Sequence, residues 1–184
     1  MTRTLNLLTF ESPDPEHQNT FDVLIAYEDL ETGKRAKKAY DFLVENLGGD
    51  CRFTNRMWKF EVLGIPNLRE MAINDCAEAD LIVISCHGAN LPAEVQAWIE
   101  LWLREPHRPF ALVAIFDQEG DSADTRHYLA GVCKRGKMEF LAHPDTGREA
   151  TVFESQPRIP IQDFASFMTS QERETSVPRW GINE

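Results

Sequence analysis

Short apolar runs alternate along the chain with segments whose apolar residues recur every three or four positions. Val23-Leu24-Ile25-Ala26-Tyr27 is the first run, and a continuous apolar stretch of that length marks a strand covered on both faces. A helix is predicted from about Thr32, with Ala36, Tyr40, Leu43, Val44 and Leu47 on one stripe and Gly48-Gly49 to stop it. The second strand has two candidate positions, residues 51–54 or the alternating stretch Met57-Trp58-Lys59-Phe60-Glu61-Val62-Leu63. Asn67 and Glu70 have the spacing of a capping box and open a helix that runs through Ala79.

Asp80-Leu81-Ile82-Val83-Ile84-Ser85 is the clearest strand, and Cys86-His87-Gly88-Ala89-Asn90 is its exit loop. Pro92 suits the first turn of the next helix, where Val95, Trp98, Ile99 and Trp102 recur at helical spacing as core residues. Phe110-Ala111-Leu112-Val113-Ala114-Ile115-Phe116 is a fourth strand, ended by Asp117. Asp121 or Ser122 then caps a helix that carries Tyr128, Leu129 and Val132 and ends near Gly136. Met138-Glu139-Phe140-Leu141 is a short fifth strand running into Ala142-His143-Pro144.

This order predicts a doubly wound, three-layer α/β domain over residues 20–145, built on a five-stranded parallel sheet in the order 2-1-3-4-5. Residues 1–19, with Pro13 and Pro15, read as an extended arm. Residues 146–184 form an extension, either packed on the domain or trailing from it, in which Pro157, Pro160 and Pro178 exclude long helices and residues 161–168 are amphipathic.

The formal net charge of −11 weighs against nucleic acid or an anionic membrane as the main partner. The cluster Lys34, Arg35, Lys37, Lys38 and the cluster Lys134, Arg135, Lys137 read as solvated helix faces. Cys51, Cys76, Cys86 and Cys133 lack paired metal-ligand spacing and read as reduced thiols. The first residues soon meet Glu11 and Asp14, and no apolar stretch is long enough to span a bilayer, so a cytoplasmic location is expected.

Ligands of such sheets meet the chain at the carboxyl ends of the strands. Glu28, Asp29 and Asp117 are predicted to converge there as a candidate Mg²⁺ site, although an acidic, solvated rim explains them more simply. Ser85, Cys86, His87 and His143 complete the predicted pocket rim. Ser85, Cys86 and His87 suggest a nucleophile and base, but residues adjacent in sequence on an extended strand point apart, and no G-x-S-x-G elbow surrounds Ser85. No catalytic residue is therefore assigned. No dinucleotide fingerprint or phosphate-binding glycine loop occurs.

Phe21-Asp22-Val23-Leu24-Ile25-Ala26-Tyr27-Glu28-Asp29, with Phe140-Leu141-Ala142-His143-Pro144, resembles the strand endings of a response-regulator receiver domain, a flavodoxin-like fold. Receivers place an acidic pair for Mg²⁺ after the first strand, a phosphoacceptor aspartate after the third, a Thr or Ser after the fourth and Lys-Pro after the fifth. Glu28 and Asp29 match the pair. Ser85 stands at the acceptor position, Phe116 or Asp117 replaces the Thr or Ser, and His143 replaces the lysine. The resemblance thus implies a non-catalytic signalling or protein-interaction module without the phosphoacceptor aspartate, working through a protein partner or self-association.

Two other resemblances imply different functions. The first strand, and Ala79-Asp80-Leu81-Ile82-Val83-Ile84-Ser85, are similar to Toll/interleukin-receptor domains, which implies NAD cleavage with Glu94 or Glu100 as the key residue, though the Ser-x-Trp-Cys context is missing. A flavodoxin-like flavin carrier would hold its phosphate on Glu28-Asp29-Leu30-Glu31-Thr32-Gly33-Lys34, where three carboxylates oppose an anion.

Overall fold

In the computed structural model, residues 20–47, 52–88, 90–106, 109–117 and 122–143 are described. The arm, the extension, Cys51, Gly48-Gly49 and Asp121 lie outside the described residues. The chain runs β1 (Thr20–Tyr27), α1 (Leu30–Leu47), β2 (Arg52–Lys59), a 3₁₀ turn (Phe60–Gly64), α2 (Pro66–Glu78), β3 (Leu81–Ser85), α3 (Ala93–Trp102), β4 (Ala111–Ile115), α4 (Ala123–Gly136) and β5 (Glu139–His143). The strands form one parallel sheet in the order β2-β1-β3-β4-β5. This is the predicted α/β, flavodoxin-like topology.

Every residue of β3 and β4 is buried, as expected of central parallel strands with helices on both faces. On one face Leu24, Ile82, Ile84, Leu112 and Phe140 pack against α2, α3 and α4 through Cys76, Trp98, Trp102 and Leu129. On the other face Val23, Ile25, Leu81, Val83 and Val113 share a cluster with Ala36, Ala39, Tyr40 and Leu43 of α1. Cys76, Cys86 and Cys133 are buried free thiols, and burial pushes Cys86 and Cys133 up to about 12.

The structure resolves the ambiguity over the second strand by joining parts of both candidates. β2 includes Thr54 and Met57 and stops at Lys59, while Phe60 and Leu63 belong to the buried 3₁₀ turn. As an edge strand it is half exposed, and it is pinned to α2 by polar contacts. Trp58 donates from Nε1 to Asp75 at 2.9 Å, and Arg56 reaches Asp75 and Glu78 at 3.5 and 3.1 Å.

The start of α2 corrects the sequence reading, whereas α4 ends at Gly136 as expected. α2 starts at Pro66, one residue before the expected cap, and no side chain caps it. Proline's fixed φ and missing N–H suit that first position, leaving Asn67 inside the first turn. α4 includes Gly136, and Lys137 adopts the left-handed conformation beyond it, with φ 54° and ψ 40°. The amide of the following Met138 closes the end by donating to the Cys133 carbonyl at 2.9 Å.

Candidate functional site

The order β2-β1-β3 places the switch point of the sheet between β1 and β3, where their connections leave toward opposite faces. The strand ends are held together there by backbone bonds. The Glu28 amide donates to the Ser85 carbonyl at 3.0 Å, and the Cys86 amide donates to the Ile115 carbonyl at 3.0 Å.

Asp29, two residues beyond β1, caps α1. Its Oδ1 accepts from the backbone amides of Glu31 and Thr32, each at 3.0 Å, while Thr32 Oγ1 accepts from the Asp29 amide at 2.8 Å. This reciprocal cap explains why α1 begins at Leu30 rather than at the predicted Thr32. The second carboxylate oxygen, Oδ2, faces Nε2 of His87 at 2.9 Å.

His87 is the centre of the rim. Its other ring nitrogen, Nδ1, lies 2.6 Å from Oδ2 of Asp117, and its backbone amide donates to Glu28 Oε2 at 2.8 Å. A neutral imidazole has one N–H, so one of the two carboxylates would then meet a lone pair. Only the doubly protonated ring satisfies both. The hydrogen bond that His87 donates to Asp29, then that to Asp117, hold His87 up to about 9 against the opposing effect of burial. Asp29 is correspondingly held far below the usual carboxylate range, first by His87 and then by the Thr32 amide. Burial acts to raise Asp117, but the hydrogen bonds from His87 and Arg35 outweigh it and leave Asp117 lowered.

Arg35, one of the residues read as a solvated lysine-arginine cluster, instead ion-pairs with Asp117 from α1. The rim therefore joins four places in the chain: the ends of β1, β3 and β4, and the second turn of α1.

The three carboxylates expected to form a Mg²⁺ site are each engaged by groups of the chain. Glu28, Asp29 and Asp117 all reach the rim, but Glu28 binds a backbone amide while the other two clasp opposite edges of one imidazole ring. Among the described residues no group of three or more His, Cys, Asp or Glu side chains is arranged to hold a metal ion. The basic side chains that meet these carboxylates are His87 and Arg35.

The remaining rim residues divide. Ser85 is wholly buried and donates its hydroxyl to the Thr32 carbonyl at 2.9 Å, so its oxygen ties β3 to α1. Cys86 is buried, with its thiol held protonated. His143 ends β5 opposite Ile115 in the register, and its carbonyl accepts from the Phe116 amide at 2.8 Å. Gly88 takes φ +108° where its Cα approaches the start of α4, and a Cβ there would lie 3.0 Å from that of Ser122.

Glu94 occupies the first turn of α3, where the helix dipole favours a carboxylate. Glu100 is not merely solvated: Arg135 grips it with two nitrogens at 2.6 and 2.8 Å, and the Tyr128 hydroxyl donates to it at 3.3 Å, which holds α3 to α4.

The rim network has a pH signature. His87 has its pKa raised from an ordinary value of 6.5 to about 9, so its stabilisation is complete below about pH 6.5 and is lost as pH rises through about 9. Its side chain is 37% exposed, so solvent screening reduces the contribution to roughly 1 kcal/mol. Unfolding free energies from urea titrations at pH 6 and pH 9.5 are expected to differ by that amount, and His87→Gln is expected to remove most of the difference.

The sequence matches no model of a known protein family and no curated protein. Among the described residues, no helix is long and apolar enough to cross a membrane.

Proposed function

We propose that the protein is a non-catalytic, receiver-like signalling or protein-interaction module that works in the cytoplasm without phosphoacceptor chemistry. The observation that carries this reading is the double clasp on His87, whose nitrogens lie 2.6 and 2.9 Å from Asp117 and Asp29. Receiver chemistry needs carboxylates free to hold Mg²⁺ and a carboxylate free to attack phosphorus. Here the carboxylates are neutralised by an imidazolium and a guanidinium, and the residue at the acceptor position, Ser85, has committed its hydroxyl to Thr32. An imidazolium bonded through both nitrogens also has no lone pair with which to act as a base.

The NAD-cleaving alternative is weakened by Glu100, whose carboxylate is engaged by Arg135 and Tyr128. In the proposed role the molecule acts through surfaces that recognise a protein partner or a second copy.

Incubation with Mg²⁺ and acetyl phosphate, followed by intact-mass measurement, tests the reading. No phosphoryl adduct is expected, and no nicotinamide should appear on incubation with NAD. Turnover or phosphorylation that substitution of Glu28, Asp29 or Ser85 abolishes would overturn it.

A further inference from the structure

α1 carries the charges of its outer face in an order that does not serve the helix itself. Lys34, Lys38, Asp41 and Glu45 stand at i, i+4, i+7 and i+11, which gathers them within about 60° on one side of the helix. Lys34, Lys38 and Glu45 are exposed and Asp41 is half-exposed, whereas Ala36, Ala39, Tyr40 and Leu43 on the other side are buried against the sheet. Lys34 and Lys38 repel one another a turn apart, and so do Asp41 and Glu45. Glu45 also lies in the last turn, which holds no basic residue, and a carboxylate there opposes the helix dipole.

We propose that this face of α1 pairs with α1 of a second copy, the two helices running antiparallel about a two-fold axis. Residues 34 and 45 are equally far from the point between Ala39 and Tyr40, and so are residues 38 and 41. An axis through that point sets Lys34 of each copy beside Glu45 of the other, and Lys38 beside Asp41. The like-charge turns that cost the single helix then become contacts between opposite charges, each made twice by the symmetry. A stripe of one sign would call for an unlike partner. A stripe that is basic in its first half and acidic in its second is its own complement when reversed.

The face can accept such a contact. α1 spans 18 residues, about 27 Å, and the charged stripe occupies about 16 Å of that length. Packed helices lie about 8–10 Å apart, within the combined reach of lysine and glutamate side chains. Asp41 is ion-paired with Lys37, and a carboxylate has lone pairs for a second donor. Leu30, one turn before Lys34 on the same side, is 71% exposed and gives the stripe an apolar end. The net charge of −11 on each copy is screened over about 8 Å at physiological ionic strength, so the contacts at the face decide the pairing. The second copy is one of the two partners that the interaction-module reading allows, and the pairing rests on that reading.

Full-length charge variants provide the test. Sedimentation equilibrium of the wild type is expected to show a reversible dimer. Lys34→Glu/Lys38→Glu makes the stripe wholly acidic and Asp41→Lys/Glu45→Lys makes it wholly basic, so each variant alone should dimerise at least about tenfold more weakly. An equimolar mixture of the two should restore the dimer as a mixed pair, although both variants keep a negative net charge. A monomeric wild type, variants that dimerise as the wild type does, or a mixture that stays monomeric would each overturn the pairing. If a variant does not fold, a mixed-labelled wild-type sample decides the matter through intermolecular Overhauser contacts between Lys34 and Glu45. Their absence, or contacts of these side chains with residues 1–19 or 146–184, would overturn it. A monomer would leave the module with an unlike partner, whereas a phosphoryl adduct would overturn the module and leave the dimer standing.

Discussion

Replacing Trp98 with alanine is expected to destabilise the protein by about 3–5 kcal/mol, a large share of the total stability of a domain this size. Trp98 is fully buried at the centre of the α3 face, 6.4 Å from the Trp102 ring, in the cluster that also holds Leu24, Ile82 and Leu129. Alanine would leave a void in a layer already committed to three helices and the sheet. Its indole N–H is buried with no hydrogen-bond partner among the described residues, and an unsatisfied donor carries a desolvation penalty of about 1–3 kcal/mol. Trp98→Phe keeps most of the ring and removes that donor, so its cost should be less than half that of Trp98→Ala. Urea unfolding of the two variants checks both the size and the order. Equal losses would mean that the indole nitrogen contributes more than its surroundings indicate.

Gly88→Ala is the second substitution with a large expected effect, a loss of about 1–3 kcal/mol. The residue combines φ +108°, which side-chain-bearing residues rarely adopt, with a Cβ position only 3.0 Å from Ser122 Cβ and 3.5 Å from Phe116. Relief would require the loop after β3 to move away from the start of α4. That movement would pull on His87, the preceding residue in the chain, and through it on Asp29 and Asp117. The variant should therefore lose most of the stability difference between pH 6 and pH 9.5 along with its overall stability. A loss of stability that left the pH difference intact would separate the glycine from the rim.

The sheet was legible because β3 and β4 are read on both faces at once. A strand such as Leu81-Ile82-Val83-Ile84 has no solvent side, so its pattern has one interpretation. β2 lies at an edge, where Arg52, Asn55 and Arg56 can remain partly in water, and its alternation continued into Phe60 and Leu63 of the 3₁₀ turn. The rim was legible only in part. Glu28, Asp29, Ser85, His87 and Asp117 could be named because each follows an apolar run, but whether carboxylates gather around a metal or around a side-chain cation depends on distances that spacing does not encode. Arg35 was missed altogether. The usable signal was its position six residues after Asp29 on a helix that starts at the same rim, which brings it within reach of the strand ends.

The central place of β1 also governs the order in which the molecule can be assembled. β1 is the first strand among the described residues, yet it pairs on one side with β2 and on the other with β3, where Val23 lies beside Leu81. At about 5–20 residues per second, a ribosome needs roughly 3–12 s to make the chain between those two residues. Throughout that interval the apolar run from Val23 to Ala26 has no β3 beside it, and α1 is the first of the described helices made that can shield it, α2 following only near the end. The amphipathic stripe of α1 therefore serves a nascent chain before it serves the finished sheet. Weakening Ala36, Ala39 or Leu43 would bear on the yield of folded protein during synthesis as well as on the stability of the product.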